Sequence, residues 1–323
     1  MFSNFLFFLI ALIIYTTSEF FHSDQTVSTH GVAYSVVAYG IFVMVTRLVF
    51  KRVNNRSRLL SVANLDSIIS RSVNRLSVFA LCVFALMLYL FRLNFAIPST
   101  GLIELFPTLR AILFLSLFLS FLMVIWFSAY DVHQMLLGGA VSKKAYVLSN
   151  VSFVLPALLP WFLISIVADI LVHLPWQTPR AILETPAGEI GYVAFFLVVI
   201  TVFGPVLIKK LWLCQPLEPG YARSRIESVC RRSGLKYADI LQWDMFGGNM
   251  ITAGVMGIVS RFRYILVTPA LFQSLNEEEL ESVMLHEIGH VQKHHMIFYL
   301  FFFAGFIACN FVFFEPVLQV LYI

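Results

Sequence analysis

His286-Glu287-Ile288-Gly289-His290 is the stretch whose residue types and spacing could do chemistry. Two histidines four positions apart share one helical face and can grip one metal ion. Glu287 then stands where a carboxylate can take a proton from water on that metal. This is the smallest protein-made set for zinc-dependent hydrolysis. With 8 histidines in 323 residues, random placement yields the pattern in roughly 0.7 of a hundred such chains. It therefore outweighs the alternative of two ordinary histidines on a polar helix face.

The chemistry needs a helix at this point, and the flanking residues supply one. Asn276 precedes Glu277, Glu278 and Glu279, an N-cap residue followed by three carboxylates where the helix dipole favours negative charge. Leu280, Val283, Met284 and Val291 recur at helical spacing, which predicts a helix from 277 to about 294 with a buried stripe beside the histidines.

Hydrophobic residues make up 59% of the chain, Phe numbers 33 and charged residues are 12%. With a mean hydropathy of +0.85, this composition defines an integral membrane protein. Stretches apolar enough to span a bilayer lie near 2–15, 31–50, 77–97, 109–130, 150–172, 190–213 and 296–321. The first lacks a basic n-region and a small-residue cleavage site, so it reads as a retained span and not a signal peptide.

Lys and Arg set the expected orientation. Arg47, Lys51, Arg52, Arg56, Arg58, Arg71, Arg75, Lys143, Lys144, Lys209 and Lys210 fall in alternate loops, against Arg92, Arg110 and Arg180 in the others. The asymmetry puts the N-terminus and the HExxH segment in the cytoplasm, in a plasma or bacterial inner membrane. The net charge of +4 is then a topology signal beside anionic lipid, and no nucleic-acid-binding module is visible. Cys82, Cys214, Cys230 and Cys309 lack paired spacing and read as reduced structural thiols.

The membrane pattern ends near residue 214, and 221–295 has the composition of a small soluble module. A helix is expected from 221 to 233, with Ile226, Val229 and Cys230 on its buried face and Gly234 closing it. Strands are expected at 238–245, 250–258 and 263–267, forming a small antiparallel sheet whose first two strands are joined through 246–249. Thr268-Pro269 reads as N-cap and first residue of a short helix running to 274.

From 263 to 295 the order strand, Thr268-Pro269, short helix, Asn276-Glu277-Glu278-Glu279-Leu280 and HExxH resembles the membrane zinc metallopeptidases of the HtpX and CAAX prenyl protease type. The resemblance covers roughly 221–310. It implies a mainly α fold: a polytopic helical membrane protein of about seven spans with a small α+β zincin-like module before the last. The domains expected are a transmembrane domain at 1–213, a cytoplasmic metallopeptidase module at 214–295 and a final transmembrane helix at 296–323.

By the same resemblance His286 and His290 are Zn2+ ligands. Glu287 is the catalytic base that activates water and passes a proton to the leaving amine, with no covalent acyl-enzyme. An extended peptide or protein substrate is implied along an edge strand matching 249–254, with Asn249, Thr252, Ala253 and Gly254 as substrate-binding candidates. The alternative for that stretch is an ordinary glycine-rich hairpin.

The chain departs from the family at the third ligand, a glutamate carried on a downstream helix in those enzymes. Past His290 the only acidic residue is Glu315, so a longer parent protein is expected to supply it. His294 lies about 12 Å along the axis from His286, too far for one shared ion. It reads with His295 as an interfacial polar residue. Arg92, Asp131, His133, Asp169 and His173 lie near span ends, where snorkelling explains them.

Two functions follow. One is a membrane-bound zinc endopeptidase acting on membrane-associated or misfolded polypeptides at the cytoplasmic face. The other is a membrane scaffold or sensor that keeps the peptidase fold with an incomplete site. An intramembrane protease is disfavoured, because Glu277 to Glu281 and Gln292 to His295 make burial of the motif in lipid expensive.

Overall fold

Each apolar stretch upstream of residue 214 forms helix in the computed structural model, which describes residues 2–20, 29–57, 62–96, 101–137, 142–173, 181, 185–244, 250–301 and 305. The helices are α1 (Phe2–Phe20), α2 (Thr29–Ser57), α3 (Val62–Ala85), α4 (Pro107–Leu137), α5 (Lys143–Val154), α6 (Leu159–His173) and α7 (Pro186–Leu211). Among the described residues four helices are long and apolar enough to cross a membrane, or five if α5 and α6, bent by 66°, make one span. The bend falls at the 3-10 turn Leu155–Leu158, where Pro156 lacks the amide that would continue the ladder. The chain is thus a multi-pass membrane protein. The stretch expected to span at 296–321 lies mostly outside the described residues.

Residues 47–57 and 62–76 of the basic stretch are helical. Among the described residues, Arg47, Lys51, Arg52 and Arg56 ride on the last turns of α2, and Arg71 and Arg75 lie within α3.

The contacts divide the chain into two units, Met1–Ile200 and Thr201–Ile323. In the first, α4 packs against α1, α2, α3 and α5. Its inward stripe, Phe114, Phe118, Phe121, Leu122, Ile125 and Ala129, is buried throughout. Phe8 and Phe84 each meet Phe118 at 5.4 Å between ring centroids, and Phe42 meets Phe121 edge-on at 4.8 Å. Aromatic edges and faces fill this interior where polar groups would be costly.

The second unit carries α8 (Tyr221–Arg232), α9 (Pro269–Ser274), α10 (Glu277–Gln292) and four short strands: β1 (Gln215–Pro216), β2 (Asp239–Gln242), β3 (Ala253–Met256) and β4 (Tyr264–Val267). The strand order is β1-β2-β4-β3, with β2 and β4 parallel and the outer pairs antiparallel. This corrects the expected antiparallel sheet and the expected pairing of β2 with β3. The reason lies in β4, whose four residues are all buried. A strand apolar on both faces takes the middle of a sheet, so the two half-buried strands flank it. The proline-bearing β1 takes an edge, where a missing amide does no harm.

One continuous core joins these elements. Ile226, Val229 and Cys230 of α8, Ile240, Ile265 and Val267 of the sheet, and Leu280, Met284 and Ile288 of α10 are buried together. On the other face of the sheet Trp212, just past α7, stacks on Trp243 at 4.1 Å. Phe203 of α7 meets Phe262 at 5.0 Å, and Lys209 Nζ donates to the Tyr264 hydroxyl at 3.1 Å. The end of α7 and the sheet therefore form one packed piece.

The start of α10 is a full capping box. The Glu279 amide donates to Asn276 Oδ1 and the Asn276 amide donates to Glu279 Oε2, both at 2.9 Å. Asn276→Ala is expected to destabilise the folded protein by about 1 kcal/mol, read as a lowered midpoint of thermal unfolding in detergent. An unchanged midpoint would mean that core packing alone fixes the helix start.

Candidate metal centre

Leu280, Met284 and Ile288 recur every fourth residue along α10 and are 7%, 0% and 1% exposed. Anchoring that stripe fixes the rotation of the helix. His286 and His290, offset by two positions from the buried residues, must then point away from the core. His286 is exposed, while Glu287 and His290 are half-buried.

The two imidazoles face each other with Nε2 to Nε2 at 3.2 Å and ring planes at 81°. Two nitrogens bound to one tetrahedral zinc at its usual bond length stand about 3.3 Å apart. The pair therefore fits a shared zinc ion. Behind it, His290 Nδ1 lies 2.6 Å from His295 Nδ1. No group of three or more His, Cys, Asp or Glu side chains that could hold a metal occurs among the described residues.

Helix α8 holds α10 at both ends. Tyr221 donates its hydroxyl hydrogen to Glu277. Arg225 reaches Glu277 at 3.7 Å and Glu281 at 3.2 Å, and Arg232 pairs with Glu281 at 2.7 Å. At the other end Gln292 donates to the Ser233 carbonyl at 3.0 Å. In sequence the glutamates carry a helix-start signal; their second role, as anchors for arginines some fifty positions upstream, requires the fold.

Helix α10 also packs against β3, the edge strand of the sheet. Thr252, one residue before β3, receives a hydrogen bond from the Thr268 amide at 3.2 Å, and its own amide donates to Thr268 Oγ1 at 3.1 Å. The Thr268 hydroxyl in turn donates to the Thr252 carbonyl. Thr268 begins α9 as expected, yet its side chain serves Thr252 and makes no cap. The Thr252 backbone is thus turned toward β4. Alternation along the antiparallel pair then turns the amides and carbonyls of Ala253 and Val255 outward, and those of Gly254 inward. Of the substrate-binding candidates, Thr252, Ala253 and Gly254 lie on or beside the edge of the described sheet, and among the described residues nothing comes within 4 Å of a Cβ placed on Gly254. Asn249 lies outside the described residues.

A cavity of about 430 Å³ opens at the C-terminal end of α10, lined by His290, His294, Lys236, Arg263, Met296 and Ile297 among others. Arg263 donates to the carbonyls of Gly257, Ile258 and Lys236, and burial lowers its pKa. It braces the β3–β4 loop, where Gly257 has φ +109° and a Cβ would fall 2.5 Å from the Phe262 carbonyl oxygen. Only glycine fits there.

Other candidates have structural partners. Asp131 pairs with Lys143 at 3.2 Å, and Asp169 accepts from the Thr108 amide at 2.9 Å while its carbonyl meets His173. Cys82, Cys214 and Cys230 are free thiols. Burial pushes Cys214 and Cys230 up to about 11, so both stay protonated near neutral pH.

The arrangement defines a class: a helical membrane protein bearing a small α+β unit in which two histidines face each other on a helix packed against the edge strand of the described sheet. Residues 216–320 match the family model described as Peptidase family M48, and this part of the chain is similar to proteases of the HtpX and CAAX prenyl protease type. It is 30% identical over 92 residues to a Protease HtpX homolog of Aeropyrum pernix, covering 28% of each chain. It is 29% identical over 118 residues to CAAX prenyl protease 1 of Saccharomyces cerevisiae, covering 35% of this chain and 26% of that protein. The matches thus span less than a third of these two relatives. The crystal structure of S. mikatae Ste24p aligns with a TM-score of 0.45 at 16% identity, over 91% of this chain and 74% of that one.

Proposed function

We propose that this protein is a membrane-bound zinc endopeptidase that hydrolyses peptide bonds of membrane-associated or misfolded proteins at the cytoplasmic face. The observation that carries the reading is the 3.2 Å separation of the two Nε2 atoms on a helix that also packs against a free strand edge. His286 and His290 hold zinc, and a third ligand comes from outside the described residues. Bound zinc supplies a Lewis acid for the scissile carbonyl and lowers the pKa of a coordinated water to about 7. Glu287, half-buried beside the pair, takes the proton from the attacking water and returns it to the leaving amine.

The substrate lies extended along β3, hydrogen-bonded to the outward groups of Ala253 and Val255. The cavity at the end of α10 accepts a neighbouring side chain. Membrane anchoring comes from the apolar helices of 1–213, and the module at 214–295 acts on the cytoplasmic side, as the distribution of Lys and Arg supports. Lipid and polypeptide are the partners, and nucleic acid is not.

The scaffold or sensor reading is favoured by one observation, the pair of ligating side chains without a third among the described residues. Zinc content of the purified chain in detergent separates the two. Near one zinc per chain, lost in His290→Ala, is expected. Glu287→Gln is expected to keep that zinc and lower proteolysis by about 10²–10⁴-fold. Wild-type protein that holds zinc no better than His290→Ala would leave the scaffold reading standing.

Two further outcomes test the placement of substrate and membrane. Val255→Pro removes an outward amide and is expected to raise KM for a peptide substrate while kcat changes little. An unaltered KM would rule out strand addition at β3. Ser282 is exposed on α10, so Ser282→Cys in a variant lacking the native cysteines should react with an impermeant thiol reagent from the cytoplasmic side alone. Labelling from outside would reverse the orientation.

A further inference from the structure

The geometry points to His295 as a positioning residue that fixes the tautomer and ring orientation of His290; this rests on the zinc reading above. Residues five apart on a continuous α-helix lie 140° apart around the axis, so His290 and His295 could not meet if α10 ran straight on. They meet because the chain breaks between them. Helix α10 ends at Gln292, and His294 adopts φ +57°, a left-handed conformation that among non-glycine residues Asn, Asp and His take most often. The His294 amide donates to the Val291 carbonyl at 3.1 Å, and the next helical turn starts from the His294 carbonyl, which receives the amides of Ile297 and Phe298. This single left-handed residue swings His295 back under His290. The rings end 4.8 Å apart, edge to face at 69°, with the two Nδ1 atoms 2.6 Å apart.

One proton must lie between those nitrogens, and the fit at His286 decides which ring carries it. For His290 Nε2 to offer a lone pair to metal, the neutral His290 ring must hold its proton on Nδ1. His290 Nδ1–H then donates, and His295 Nδ1 accepts. The reverse tautomer would place the His290 proton on Nε2, pointing it at the metal position. His295 thus performs the task that a carboxylate or carbonyl performs behind many metal-bound histidines.

The test is a zinc dissociation constant for the full chain in detergent, from competition with a chromophoric chelator, with the unfolding midpoint of the metal-free protein measured alongside. His295→Ala is expected to weaken zinc binding about 10–100-fold with the metal-free midpoint unchanged. His295→Asn, whose Oδ1 can accept from His290 Nδ1–H, should restore most of the affinity. His294→Gly, which keeps the left-handed turn, should bind within about threefold of wild type. Zinc bound as tightly by His295→Ala as by wild type, or no better by His295→Asn than by His295→Ala, overturns the assignment while leaving the zinc site itself in place. Wild-type protein that binds zinc no better than His290→Ala overturns the zinc reading, and this assignment with it.

Discussion

The burial of Leu280, Met284 and Ile288 is the constraint on which the rest of the module depends. Each removes an apolar side chain from water, a contribution of about 1.5–3 kcal/mol apiece, and all three lie on one line along α10. The 3.6-residue period then leaves His286 and His290 no choice of direction. Turning the helix by one residue, roughly 100°, would expose that line and carry polar side chains into the core. The direction of the face that carries the two histidines is therefore a consequence of packing on the opposite face, and the closeness of the two Nε2 atoms follows from the four-residue repeat.

That helix is gripped from two sides. On one, α8 offers Arg225 and Arg232 to Glu277 and Glu281, an ion-pair network and not a single exposed pair. Such networks contribute more than isolated surface pairs, and their geometry sets the axial position of the helix. On the other, the sheet presents β3 as its free edge beside α10. The doubly buried β4 forces this order, and Thr268 locks the entry to β3 by taking both backbone groups of Thr252. The result is a strand whose outward groups are set in phase with the helix.

Elsewhere the chain follows the physics of an apolar surround. The first unit is built around α4, and its interior is filled by phenylalanine rings meeting edge to face. Arg47, Lys51, Arg52 and Arg56 lie on the last turns of α2, and Lys209 and Lys210 on the last turn of α7, where long stems can cover apolar surface while the charged heads point to water. In the second unit, the end of α7 joins the sheet through Trp212, Lys209 and Phe203, so the polypeptide leaves α7 already engaged in the module's packing.

The sequence by itself determined what depends on local period and local chemistry. The N-cap at Asn276, the stripes of α8 and α10, the helices upstream of residue 214 and the shared face of His286 and His290 are all written in residues a few positions apart. Strand order was not legible, because pairing of β2 with β4 is decided by competition among strands for the buried centre, and only the assembled core shows which strand is covered on both faces. The short β1 was hidden for a related reason: two residues, one of them proline, carry no alternation to read. Nor did spacing reveal His295. A left-handed residue at His294 has no periodic signature, and only the tertiary structure, by breaking the helix there, brings the two rings together.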